Sequence, residues 1–227
     1  MELKRRIKAA MKGFRDPDLV VGREAFDQIS GLEALAKEWS DGPLRWERVK
    51  KVASDALASA NLRGGKMLEI GGRRNPRDKA FPGFEYYALD LDGAPGAKTK
   101  VMVGDITECP QIESESIDFI FSLDVFEHIA KPWLAGAEIQ RILRPGGVTV
   151  HSTLFSWRYH PCPIDYWRYS AEGLRSLFPD LLCLYSDFDA AERRRDIRGK
   201  DGNKVEIDAL GGWRENVRVH YAGLKRG

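Results

Sequence analysis

The sequence predicts one α/β domain built on a mostly parallel sheet. Three observations carry this. Short, near-continuous apolar runs recur at 67–70, 86–91, 101–103, 117–123 and 148–152, the pattern of strands covered on both faces. A stretch with a helical apolar face separates the fourth run from the fifth, as strand–helix alternation in a parallel sheet requires. Two further runs, 182–188 and 217–224, close the chain as an antiparallel pair.

The elements follow in order. Residues 1–15 carry Lys4, Arg5, Arg6, Lys8, Lys12 and Arg15 against Glu2, with Leu3, Ile7, Ala10, Met11 and Phe14 on one helical face. One reading is a helix whose stripe packs on the domain. The other is a basic amphipathic helix in weak peripheral contact with an anionic membrane. Asp41-Gly42-Pro43 breaks the chain. A second helix reads over 44–61, ended by glycine in Arg63-Gly64-Gly65. We therefore divide the chain into an N-terminal helical segment, 1–62, packing on or capping a core, 63–227. The connections 72–84 and 92–100 hold prolines and glycines and predict loops or single turns in place of full helices. A helix over 132–143 places Leu134, Ile139, Ile142 and Leu143 on one face, and Arg144-Pro145-Gly146-Gly147 stops it. Ser170 caps a helix running through Phe178, with Glu172 near its positive end. The charged stretch 192–204 reads as a solvated loop or hairpin tip, with Asp201-Gly202 as its turn.

Composition narrows the function. A chain of 227 residues makes one large domain or about one and a half ordinary ones. Lys plus Arg number 36 and Asp plus Glu 34, a net charge of +2. That balance argues against a dedicated nucleic-acid binder, which shows a strong basic excess. Three cysteines, Cys109, Cys162 and Cys183, contain no Cys-x-x-Cys pair, which fits a reducing compartment. No apolar run approaches the roughly 18 residues of a membrane span, and the basic N-terminus lacks a signal-peptide core. The expected location is cytoplasmic; the oligomeric state is unreadable.

Ligands of open α/β sheets bind at the carboxyl ends of the strands. Those ends carry Glu69-Ile70-Gly71-Gly72-Arg73, Asp90-Leu91-Asp92, Gly104-Asp105-Ile106, Ser122-Leu123-Asp124 and His151-Ser152-Thr153. A dinucleotide wants Gly-x-Gly-x-x-Gly for its pyrophosphate, and Arg73, Arg74 and Pro76 break that pattern. A nucleoside without phosphates fits better. Asp90 lies 21 residues after Glu69, about the spacing at which an acid meets ribose hydroxyls. Asp105 could accept from an adenine amino group, and Glu69 could orient the glycine turn or an amino group.

These residues resemble the class I S-adenosylmethionine-dependent methyltransferases. The resemblance covers about 66–178 and rests on Leu68-Glu69-Ile70-Gly71-Gly72, Ala88-Leu89-Asp90, Gly104-Asp105-Ile106, Asp124-Val125-Phe126-Glu127-His128-Ile129 and Leu143-Arg144-Pro145-Gly146-Gly147. It implies a single-domain Rossmann-like fold, a seven-stranded sheet with the last strand antiparallel, and S-adenosylmethionine as cofactor. It further implies that Asp90, with Leu91 beside it, holds the ribose, Asp105 with Ile106 the adenine, and Gly71 and Gly72 the methionine portion. Ser122 and Leu123 would lie beneath the sulfonium. The family usually has another glycine where Arg73 stands. Either Arg73 or Arg74 pairs with the methionine carboxylate, or both point to solvent.

The acceptor side reads less sharply. His128 follows the fourth strand, and His160 lies in the loop Trp157-Arg158-Tyr159-His160-Pro161-Cys162-Pro163-Ile164-Asp165-Tyr166-Trp167-Arg168-Tyr169. Either histidine is a candidate general base, its ordinary pKa near 6.5 suiting the role; His128 could equally brace the loop. The prolines, aromatics and charges of the loop suit a pocket for a polar ring, with Tyr159, Asp165, Tyr166 and Arg168 as substrate contacts. The four histidines show no metal-ligand spacing, so a metal-independent reaction is expected. The resulting expectation is a bacterial methyltransferase acting on a hydroxyl of a sugar, glycan or small metabolite, with no nucleic-acid partner. The alternatives are a nucleic-acid or protein methyltransferase of the same fold, and a non-catalytic module binding a partner through 1–60.

Overall fold

The computed structural model describes residues 45–72, 76–93, 101–157, 159–189, 192–195 and 213–227. The basic N-terminal stretch 1–15 and most of the charged stretch 192–204 lie outside the described residues.

Chain contacts divide the protein into two units. One comprises Leu44–Ala190 with Val217–Gly227, the other Met1–Pro43 with Ala191–Asn216. The first holds α1 (Arg45–Ser59), β1 (Gly65–Ile70), β2 (Phe84–Asp90), β3 (Val101–Val103), β4 (Ile117–Leu123), α2 (Pro132–Ile142), β5 (Leu143–Ser156), α3 (Ala171–Arg175) and β6 (Leu181–Phe188). In the second, β7 (Glu192–Arg195) pairs antiparallel with residues 213–216 of β8 (Trp213–Lys225). The charged stretch thus begins as one arm of a hairpin.

The sheet order is β3-β2-β1-β4-β5-β8-β6. Strands β1 to β5 pair in parallel, whereas β8 runs antiparallel between β5 and β6. Successive side chains of a strand point to opposite faces, and the core divides accordingly. Leu68, Ile70 and Ile120 pack with Ala135, Ile139 and Ile142 of α2 and Leu174 of α3. Met67, Phe119 and Phe121 pack with Val49, Ala53, Ala56 and Leu57 of α1. The apolar stripe of α1 thereby covers one sheet face, and Phe81 closes it with an edge-on contact to Phe119 at 5.1 Å.

Three sequence expectations are corrected. The first helix does not need its glycines to stop. Asn61 adopts the left-handed conformation (φ 51), Leu62 donates to the Leu57 carbonyl at 2.9 Å and Asn61 to Ala58 at 3.0 Å, the paired bonds of a Schellman end. Residues 144–147 do not merely stop α2; they are the start of β5, with Leu143 already paired to Ile117. The Ser170-capped helix ends at Arg175, short of Phe178. Pro179 disfavours helical backbone at the residue before it, and Phe178 instead stacks between His151 and Tyr221. After β1 the described residues hold only a single 3-10 turn, Asp78–Ala80, as expected, whereas most of the 92–100 connection lies outside the described residues.

Candidate cofactor and methyl-acceptor site

The turn after β1 is built from two glycines with different constraints. Gly71 sits at φ +78, and a Cβ there would come within 2.7 Å of Val125 Cγ2. A Cβ on Gly72 would run into the Tyr86 hydroxyl and lie 2.8 Å from Glu69 Cδ. The backbone is therefore bare where the strand ends, and it is held there from behind. Glu69 is buried, and its Oε2 accepts from the Tyr86 hydroxyl at 2.5 Å and from Arg77 N at 3.0 Å. The Arg77 guanidinium pairs with Oε1 and lies over the Trp46 ring. Glu69 thus braces the turn. Burial, and then Glu69 itself, push the Tyr86 hydroxyl far above its ordinary pKa, so it stays a donor.

Asp90 ends β2, and its carbonyl accepts from Gly104 N at 2.9 Å. The Leu91 side chain beside it is exposed, an apolar face for a flat ring. Asp105 is exposed and takes Thr107 N at 2.9 Å, whereas Ile106 is buried in the core. Arg73 lies outside the described residues. Leu123 is half-buried at the end of β4. Ser122 is fully buried and its hydroxyl pairs with His151 Nδ1 at 2.7 Å, so only its main chain faces the sheet end. Burial pushes His151 down to about 3; that ring is a neutral core group bonded on its far side to Thr149 at 2.6 Å.

The acceptor side forms around the turn after β4. Asp124 has φ +56, a conformation that costs a non-glycine residue energy and is kept where the surroundings enforce it. Here Asp124 N donates to Ser152 O at 2.9 Å, and Arg218 of β8 reaches the carboxylate at 3.2 Å. The next residues, Phe126–His128, form a single 3-10 turn onto which the aromatic loop is stitched. Tyr166 N and Trp167 N donate to Glu127 O, the Tyr169 hydroxyl to Phe126 O, and Trp167 Nε1 to Ile129 O. His128 Nδ1 bonds Ile164 O at 2.8 Å.

This stitching brings together two histidines far apart in the chain. His128 and His160 lie with ring centroids 5.1 Å apart. Their Nε2 atoms face Glu127 Oε1 at 3.9 and 4.0 Å. Asp165 accepts from His160 Nδ1 at 3.0 Å and His160 N at 2.8 Å, and Arg168 grips both its oxygens at 2.6 and 2.7 Å. The Arg168 bonds hold Asp165 well below the usual carboxylate range despite partial burial. Burial, and then Asp124, push Glu127 above that range. Tyr159 and Tyr166 stand exposed at the rim.

Sequence reasoning missed Glu127, Asp124, Arg218, Tyr86 and Arg77 as parts of this site. Arg218 left a signal: it is a cation set between Val217 and Val219 of the terminal strand. Glu127 left another, as an acid between Phe126 and a histidine.

The sheet order, parallel from β1 to β5 with β8 antiparallel, is that of a Rossmann-like methyltransferase fold. Residues 71–151 match the methyltransferase domain family model. An uncharacterized methyltransferase of Mycolicibacterium gilvum is 28% identical over 60% of this chain and 51% of its own length. One from Mycobacterium marinum is 47% identical over 43% of this chain and 42% of its own. The chain thus spans about half the length of these relatives. Haemonchus contortus phosphoethanolamine N-methyltransferase 2, solved with phosphomonomethylethanolamine and S-adenosylhomocysteine, shares the fold at TM-score 0.53 and 17% identity, over 85% of this chain and 57% of its own. The cofactor that this likeness implies is S-adenosylmethionine. The residues fit it: bare glycine backbone after β1, a carboxylate after β2 for a cis-diol, and the exposed Leu91 for a ring. No helix among the described residues is long and apolar enough to cross a membrane.

Proposed function

We propose that the chain transfers a methyl group to a hydroxyl oxygen of a sugar, glycan or other small polar metabolite. The observation that carries this is the convergence of His128 and His160 on one point beside the strand ends, under the aromatic loop. Gly71 and Gly72 admit the methionine portion, Asp90 accepts from the ribose hydroxyls, Leu91 and Asp105 receive the adenine, and Leu123 lies under the reacting methyl. The bound cofactor supplies a methyl on positively charged sulfur, already a good electrophile. The protein must then align the oxygen and accept its proton.

The hydrogen bonds support that role. The Nδ1 of His128 donates to a carbonyl and that of His160 to a carboxylate, an assignment from their partners. Each Nε2 therefore presents a lone pair, the form a general base needs. One Nε2 would take the hydroxyl proton as the oxygen gains the methyl and the carbon–sulfur bond breaks, releasing S-adenosylhomocysteine. Tyr159, Tyr166 and Arg168 are the acceptor contacts in this reading, with Asp165 orienting His160.

The test is calorimetric titration with S-adenosylmethionine and S-adenosylhomocysteine, with Asp90→Ala as control, followed by a screen of hydroxylated acceptors. Both ligands should bind wild type and weaken by at least about tenfold in the variant, since a bidentate carboxylate contact is worth roughly 1.5–3 kcal/mol. Absence of binding to either ligand refutes the reading and favours a partner-binding module. Methylation confined to nucleic acid or protein refutes the acceptor class.

A further inference from the structure

Glu127, His128 and His160 carry more than proton transfer requires. A general base needs one lone pair; this cluster aims three at one spot. Two are imidazole Nε2 atoms and the third is Glu127 Oε1, a fully buried carboxylate oxygen with no hydrogen-bond partner. Among the described residues these three ligand atoms lie within 4.8 Å of one another. The neighbouring carboxylates each have their own cation: Arg218 at Asp124 and Arg168 at Asp165. Among the described residues Glu127 has an arginine on neither oxygen; Oε2 takes only the Thr153 hydroxyl at 2.8 Å. A buried charge left in this state is costly unless a cation meets it.

The outer partners point the same way. Metal-binding histidines donate the other ring N–H to a carboxylate or backbone carbonyl, fixing the tautomer. His160 does the first, through Asp165, and His128 the second, through Ile164 O. Asp165 is itself clamped by Arg168.

We propose that Glu127, His128 and His160 form a binding site for a first-row divalent cation such as Zn2+. Two imidazoles and one carboxylate suit such an ion and leave a position open for substrate oxygen. Tetrahedral zinc with bonds of about 2.0–2.1 Å sets its ligands roughly 3.3 Å apart; the 3.9 and 4.0 Å separations from Glu127 Oε1 would close by about 0.6–0.7 Å, from a cluster whose three ligand atoms lie within 4.8 Å of one another. The sequence expectation of a metal-free site rested on spacing along the chain. Here the loop 157–169 supplies the third ligand from a distance that spacing does not show.

The catalytic consequence rests on the methyl-transfer reading. The ion would take the acceptor hydroxyl in its open position and lower its pKa, so that the proton is given up to water and the two histidines serve as ligands, replacing the base role proposed above. Metal binding itself does not rest on that reading.

The experiment uses the full chain stripped with chelator, then titrated with Zn2+ alone and, separately, with Co2+. Metal content is read by mass spectrometry, affinity by calorimetry and geometry by the cobalt absorption bands. Wild type should take up one equivalent, with tetrahedral or five-coordinate cobalt bands. His160→Ala, at a partly exposed side chain, and Glu127→Gln should each weaken binding at least about tenfold. Thermal melts and S-adenosylhomocysteine titration verify that each variant is folded. No stoichiometric uptake by wild type, or uptake unchanged in folded His160→Ala, overturns the proposal. Metal uptake in a protein that fails to bind the cofactor overturns the methyl-transfer reading alone.

Discussion

Replacing the Tyr86 side chain with that of phenylalanine removes one oxygen atom and tests whether the cofactor turn is braced from behind. The Tyr86 hydroxyl donates to Glu69 Oε2 at 2.5 Å, and Glu69 is 1% exposed. A hydrogen bond to a buried charged group contributes about 1.5–3 kcal/mol. Oε2 keeps the Arg77 amide at 3.0 Å, so the acceptor is not orphaned and the lower end applies, about 1.5 kcal/mol. In a chain of this size each kcal/mol moves the melting temperature by roughly 2–4 °C, so Tyr86→Phe should lower Tm by about 3–6 °C. Glu69→Ala removes the acceptor shared by Arg77 N, Arg77 Nη1 and the Tyr86 hydroxyl, and should cost roughly 3–5 kcal/mol. The double variant should then cost less than the sum of the two, because with the tyrosine gone no hydroxyl is left to strand. Urea unfolding of the four proteins measures this coupling. A Tyr86→Phe protein as stable as wild type, or costs that simply add, refutes the brace.

Two further predictions concern ionisable groups. Burial alone would raise Asp189, but His220 and Arg48, the latter at 2.7 Å, outweigh it and hold the carboxyl down to about 2 from 3.8. A depressed folded-state pKa contributes stability above the unfolded value that is lost as pH falls through the folded one. The stability gap between wild type and Asp189→Asn should therefore be full at about pH 6 and shrink steadily between roughly pH 4 and 2; a constant gap in urea unfolding would show the pair is not coupled to protonation. For the thiols, Cys162 is exposed, whereas burial and the Glu138 contact push Cys109 up to about 12. Iodoacetamide at about pH 8 should label Cys162 and spare Cys109 until the protein is unfolded; early labelling of Cys109, seen by peptide mass mapping, contradicts its packing.

Sheet and cofactor turn were largely legible because local composition carries them. Each parallel strand is an apolar run, and the acids singled out from the sequence, Glu69, Asp90 and Asp105, sit at the strand ends where the run stops. What escaped was set by tertiary contact. Strand β5 begins at Leu143 because Ile117 is there to pair with it, although Pro145-Gly146-Gly147 reads locally as a break. The left-handed end of α1 falls on Asn61, a residue that tolerates that conformation, ahead of the glycines that advertise it. The cluster at Glu127 exists only because five hydrogen bonds fold the 157–169 loop back onto 126–129. Neither segment states this on its own.

Four of those five bonds run to main-chain carbonyl oxygens of the turn, and the fifth joins a ring nitrogen to a carbonyl of the loop. Such oxygens are present whatever residue stands there, so anchoring does not depend on which side chains the exposed rim carries. Tyr159 and Tyr166 can be exchanged without unhooking the loop, while His160 stays registered over Glu127. These two rim positions are therefore the place where side chains can be varied while the cluster beneath them stays fixed.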